Sequence, residues 1–158
     1  KGVSSDISSY MFGSILGVNQ NDVIVSIIIA LVVVIGFILS YQRLFAMTFD
    51  ETFAKAVGQN TDLYHSLLAI LTAVVVVFGM RLMGALLISG LIIFPTITAM
   101  RLFKSFKSVT ITAAILGVVN FVVGLISAAY LTTPTGASVI IVNLIALLMV
   151  NVIKLIWK

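Results

Sequence analysis

The spacing of the charges constrains this chain more than any other feature. Asp, Glu, Lys and Arg are missing from residues 23–42, 63–80 and 82–100, runs of 20, 18 and 19 residues, and from the 46 residues at 108–153. At 1.5 Å rise per residue, about 20 apolar residues cross the hydrocarbon core of a bilayer as an α-helix. The last run is too long for one crossing, and Thr132-Thr133-Pro134-Thr135-Gly136 divides it with turn chemistry. Five spans are predicted, at residues 23–41, 63–80, 84–100, 109–131 and 138–156. With 61% hydrophobic and only 9% charged residues, a water-soluble fold of 158 residues would leave much apolar surface wet. Branched stretches such as Val74-Val75-Val76-Val77 suggest strands in water, but the apolar runs are continuous rather than alternating. Helices are therefore preferred to a β-barrel. The predicted class is an all-α polytopic membrane protein.

The basic residues orient the spans. With the C-terminus inside, Arg43, Lys55, Arg101, Lys104, Lys107, Lys154 and Lys158 fall on the cytoplasmic side, and Lys1 and Arg81 on the other. This is the asymmetry that orients membrane proteins. The net charge of +4 is scattered between spans without aromatic interleaving, which argues against a nucleic-acid surface. The chain starts on Lys, and an odd number of spans with an outside start fits a chain whose earlier part is missing.

Four connecting or interrupted segments stand out. Tyr10-Met11-Phe12-Gly13-Ser14-Ile15-Leu16-Gly17 is apolar but too short to span, and reads as an interfacial helix on the extracytoplasmic side or an apolar loop. Asn19, Asn21 and Asp22 can cap the first span. In the loop after it, Thr48 and Glu51 have the spacing of a capping box, Gly58 marks an end, and Phe49, Phe53, Ala56 and Val57 share an apolar face. A helix this short barely holds alone in water and needs a surface to rest on. In the third span Pro95 removes an amide donor, so a kink or interruption is expected. Gly84, Ser89, Gly90, Pro95 and Thr96 mark that span as a candidate for the lining of an interior path or for close packing. In the fourth, Gly117, Asn120, Gly124 and Ser127 form a small polar face, and Asn143 and Asn151 share a face in the fifth. The connection Arg101-Leu102-Phe103-Lys104-Ser105-Phe106-Lys107 is a cationic topology anchor that can also meet anionic lipid or a partner.

No catalytic residue is predicted. The HExxH, GxSxG, Walker A and dinucleotide patterns are absent. His65 is the sole histidine and there is no cysteine, so a zinc centre has no ligand set; Asp62 is the expected partner of His65. No carboxylate lies deep in a span, which argues against a proton relay carried wholly by this chain. Energy for active transport would have to enter from elsewhere.

Four segments resemble one family in order. Tyr10-Met11-Phe12-Gly13-Ser14-Ile15-Leu16 is similar to the YLFGSIL segment of the permeases of ABC importers for manganese, zinc and iron, the ABC-3 family. Residues 49–58, reading FDETFAKAVG, resemble its FDExxAxxxG motif, and residues 84–99 resemble its GxLLxxALLxxPAATA core. Leu131-Thr132-Thr133-Pro134-Thr135-Gly136-Ala137 resembles its LPTGP turn. Gly90, Ile92, Thr96 and Ile97 replace Ala, Leu, Ala and Ala of the core, while Thr133 replaces Leu and Ala137 replaces Pro of the turn.

The resemblance implies the C-terminal part of a single multi-pass permease domain in a prokaryotic plasma membrane. Its implied partners are an ATP-binding subunit, a second permease copy, an extracytoplasmic metal-binding lipoprotein and the bilayer itself. Residues 49–58 would be the coupling helix, with Phe49, Asp50, Glu51, Phe53, Ala54, Val57 and Gly58 meeting the ATPase. Gly84, Ser89, Gly90, Pro95, Thr96, Asn120 and Asn143 are the candidates for the translocation path or for helix packing. The resemblance assigns no metal ligand here: the metal is cargo, and ATP belongs to the partner subunit. A permease for siderophores or vitamins, and a membrane assembly protein without a substrate path, are the alternatives.

Overall fold

The computed structural model describes residues 19–156. These form α1 (Gln20–Phe49), α2 (Glu51–Ala56), α3 (Thr61–Met83), α4 (Ala85–Leu102), α5 (Phe106–Leu131) and α6 (Thr135–Ile156). All but α2 are long and apolar enough to cross a membrane. Among the described residues there is no strand. The apolar segment at residues 10–17 lies outside them.

The first helix is longer than its predicted span. It opens at Asn19, whose backbone N–H donates to the Asp22 carboxylate at 3.3 Å. It then continues past residue 41, because Arg43, Leu44, Phe45, Ala46 and Met47 include no helix breaker. Its 30 residues make a rod about 45 Å long. That exceeds the roughly 30 Å hydrocarbon layer.

The chain divides into two compact units, residues 19–78 and residues 79–156 of the described part. In residues 79–156, α4, α5 and α6 pack pairwise on one another. Their contact is made by small residues. A Cβ on Gly124 would lie 2.5 Å from the Cα of Val139, and one on Gly90 would lie 2.9 Å from Cγ1 of Ile140. Such backbone approach is how membrane helices gain dispersion energy when lipid offers no hydrophobic drive to associate. Leu87, Pro95, Thr98, Ala99, Val139 and Asn143 fill the interior. At one end, the Thr133 and Ser138 hydroxyls are hydrogen-bonded at 2.7 Å. At the other, the Lys154 ammonium donates to the carbonyl of Arg101 at 2.6 Å. A single residue, Gly84, separates α3 from α4 with φ 89° and ψ 152°, a combination open to glycine.

Of the kink or interruption expected at Pro95, the interruption does not occur: α4 is continuous from Ala85 to Leu102. Pro95 is buried within the bundle, where its ring comes within 3.9 Å of the Cβ position of Gly117.

In residues 19–78, protein cover is sparse. Ser40, Leu44 and Met47 are the buried residues of α1, and Thr61 is that of α3. The leucine end of Leu71 lies 3.5 Å from the Cβ position of Gly36, an ordinary contact between α1 and α3.

Candidate functional site

The end of α1, the short α2 and the start of α3 form a polar corner, and Asp50 organises it. Its extended backbone (φ −152°, ψ 92°) stops α1, although its N–H still donates to the Ala46 carbonyl at 3.0 Å. Its carboxylate then accepts the Phe53 N–H at 2.9 Å and so caps α2. One residue thus ends one helix and begins the next. The expected Thr48–Glu51 capping box does not form. Thr48 lies inside α1, and its hydroxyl donates to the Leu44 carbonyl at 2.7 Å, as threonines in helix interiors do.

Gly58 closes α2 at φ 85°. Its N–H donates to the Lys55 carbonyl and that of Gln59 to the Ala54 carbonyl, each at 3.0 Å. These paired bonds define a Schellman ending, which requires the left-handed residue. Alpha2 is therefore six residues held at both ends, shorter than the predicted 49–58.

The helix has two faces of different fate. Ala54 is 2% exposed and lies inward, where α2 packs on α1. Phe49, Phe53 and Val57 are about two-thirds exposed, at 64%, 65% and 65%. Phe49 is the last residue of α1 and stacks on Phe45 with ring centroids 4.8 Å apart. The predicted apolar stripe thus exists as an uncovered surface drawn from two helices.

The charges around α2 are mostly engaged within the corner. Lys55 Nζ lies 2.7 Å from Glu51 Oε1. The Lys55 hydrogen bond and then its charge lower the Glu51 pKa, and the same contact raises that of Lys55. His65 Nε2 faces Glu51 Oε2 at 3.9 Å, so its carboxylate neighbour is Glu51 rather than the expected Asp62. Arg43 donates to the Tyr64 hydroxyl, and its guanidinium sits 5.3 Å from the centre of the Tyr64 ring. This contact links the end of α1 to the start of α3. Nothing in the sequence signals it, since the partners are 21 residues apart on different helices.

The second group of candidates lies in the α4–α6 bundle, where the structure separates them. Gly84, Gly90, Pro95, Asn120 and Asn143 are buried. Asn120 Nδ2 donates to Asn143 Oδ1 at 2.9 Å, and Asn143 Nδ2 donates to the Val139 carbonyl at 2.9 Å. Ser89 and Thr96 do not share that interior. Both are exposed, and their hydroxyls donate to the Ala85 and Ile92 carbonyls at 2.9 and 2.8 Å. Seven residues apart, they lie on one outer stripe of α4, while Gly90 and Pro95 lie on inner ones. Among the described residues, no three of His, Cys, Asp and Glu come close enough to hold a metal ion.

The chain is 33% identical over 141 residues to the high-affinity zinc uptake system membrane protein ZnuB of Haemophilus influenzae, covering 89% of this chain and 54% of that protein. It is 31% identical over 140 residues to the manganese import system permease protein ScaB of Streptococcus gordonii, covering 89% and 50%. Its fold matches a chain in the solved structure of PsaBC from Streptococcus pneumoniae in complex with Fab. The TM-score is 0.86 at 28% identity, over 94% of this chain and 54% of that one. The chain spans about half the length of the curated relatives it matches. The profile of the ABC 3 transport family matches residues 1–154. This all-α, multi-pass membrane chain therefore belongs to the ABC 3 transport family.

Proposed function

We propose that the chain is part of the membrane-spanning subunit of an ATP-driven importer for divalent transition metal ions, manganese or zinc, and that α2 couples it to the ATPase. The relatives' names, a zinc uptake membrane protein and a manganese import permease, support the substrate class. A separate subunit hydrolyses ATP, and a second permease copy and an extracytoplasmic metal-binding lipoprotein complete the assembly. The observation that carries the coupling role is the two-faced α2. Ala54 is locked inward while Phe49, Phe53 and Val57 remain uncovered. A helix capped at both ends and packed on a long rod moves with that rod, so a push on α2 becomes a displacement of α1. The Arg43–Tyr64 contact passes the same push to α3.

Asp50 stabilises the helix start, and Glu51 and Lys55 pair with each other. Recognition of the partner therefore rests on the apolar stripe more than on these charges. Phe53→Asp places a carboxylate in that contact, a penalty of several kcal/mol (about 3–5) if it is buried without a partner. The variant should insert normally yet lose ATPase co-purification and metal uptake, while Phe53→Leu keeps both. Full pull-down and full uptake by Phe53→Asp would reduce α2 to a membrane-surface turn.

A further inference from the structure

The last carboxylate side chain in the sequence is Asp62, and every charged residue after it is basic. Four of these, Arg101, Lys104, Lys107 and Lys154, belong to one end of the α4–α6 bundle. The bond from Lys154 Nζ to the Arg101 carbonyl holds the last turn of α6 against the last turn of α4. Lys104 lies in the short link from α4 to α5, and Lys107 in the first turn of α5. All four are exposed, and among the described residues none forms an ion pair. Like charges brought together at a helix-bundle end repel one another unless a counter-charge lies between them.

The same end carries exposed apolar side chains. Leu102, Phe103, Leu155 and Ile156 are 48%, 45%, 77% and 75% exposed, within two residues of the cations. Apolar groups beside cations match the boundary of a bilayer, where acyl chains meet phosphate headgroups. An acidic protein surface would satisfy the charges but not this apolar fringe.

We propose that this end of the bundle holds anionic phospholipid, with Arg101, Lys104 and Lys107 meeting the headgroup phosphate. Lys154 joins them and, through the Arg101 carbonyl, keeps the cluster assembled. A topology anchor alone would require only that the cations stay on one side. A headgroup seat requires them to share one end of the bundle, and the Lys154–Arg101 bond joins two of them across α4 and α6.

The test uses the protein purified from its native membrane in mild detergent and placed in nanodiscs. One set is phosphatidylcholine alone, and the other is equal parts phosphatidylcholine and phosphatidylglycerol. Phosphatidylglycerol should raise the unfolding temperature and remain bound in native mass spectrometry. The Lys104→Gln/Lys107→Gln double variant should retain it about thirtyfold less well, given the attraction of about 1 kcal/mol of each basic residue for an anionic surface. Arg81→Gln, which removes a charge assigned to the opposite side, should retain it fully. A salt titration of the unaltered protein checks the idea without any variant, because screening should abolish the preference for phosphatidylglycerol. Equal retention of the two lipids, an unchanged preference in salt, or full retention by the double variant would overturn the proposal. Displacement of phosphatidylglycerol by soluble glycerol phosphate at comparable concentration would also overturn it, since the site would then read a free phosphate. So would release of a co-purifying protein subunit by the double variant with lipid retention intact.

Discussion

Residues 79–156 and residues 19–78 are equally apolar to the eye, yet one region is a packed bundle and the other is barely covered. Residues 79–156 contain Gly79, Gly84, Gly90, Gly117, Gly124 and Gly136, together with the Asn120–Asn143 pair. Residues 19–78 contain only Gly36 and Gly58, and their spans present Leu, Ile and Val outward, as at Leu31, Ile38 and Leu39. In water both regions would collapse. In a bilayer, lipid solvates a leucine face as well as another helix does, so apolarity does not bring helices together. Close backbone approach and polar contacts do, and only the first region has them in number. The burial in α1 is confined to its last three turns, where it meets α2.

The largest test of this contrast is a glycine exchange on each side. Gly124→Leu would drive its side chain into the Val139 backbone, which cannot swing away. We expect α5 and α6 to separate, with a loss of about 1–3 kcal/mol or more and no monodisperse protein on size exclusion. Gly36→Ala, whose new methyl would meet only the flexible end of Leu71 at 3.5 Å, should be near neutral in the same assay. Equal effects would erase the distinction between the regions.

A smaller effect should attend the amide pair. In a double-mutant cycle, Asn120→Ala and Asn143→Ala should couple by about 0.6 kcal/mol and at most about 1.7, the range for hydrogen bonds between membrane helices. Reversible unfolding in bicelles measures it. Zero coupling would mean that glycine packing alone holds the bundle.

In the corner, Gly58→Ala has open space around it but must adopt φ 85°. The cost is then backbone strain of roughly 1 kcal/mol. It should appear as about fivefold faster amide exchange in α2, with the unfolding of residues 79–156 unchanged.

The smallest effect is the pH dependence of α2. The Glu51 pKa is lowered, so its contribution holds above the ordinary carboxylate range and disappears as pH falls through the depressed value. The Lys55 pKa is raised, so its contribution holds below the ordinary lysine range and disappears as pH rises through the raised value. Amide protection of α2 should therefore be flat across neutral pH and decline at both extremes. Because both side chains are about half exposed, the decline should be slight. A sharp change near neutrality would break this account.

Much of this was legible in one dimension. The charge-free runs located five membrane helices, because crossing a bilayer depends on the length and apolarity of a single segment. Gly58 and the Thr132-Thr133-Pro134 turn marked helix ends through local backbone chemistry. A short helix after the first span was legible from its acidic start and Gly58, although of the Phe49, Phe53 and Val57 stripe only Phe53 lies within it. Its true cap was not, because Thr48 and Asp50 both suit that role and only the length of α1 decides between them. Likewise Ser89 and Thr96 look as suited to an interior as Gly90 and Pro95, yet they lie outside it. Which stripe of a helix is buried, which asparagine finds which, and where Arg43 meets Tyr64 are properties of pairs of surfaces. Lipid accepts any apolar face, so hydrophobicity could place each helix in the membrane, but only the three-dimensional fit of neighbouring helices could choose the faces that touch.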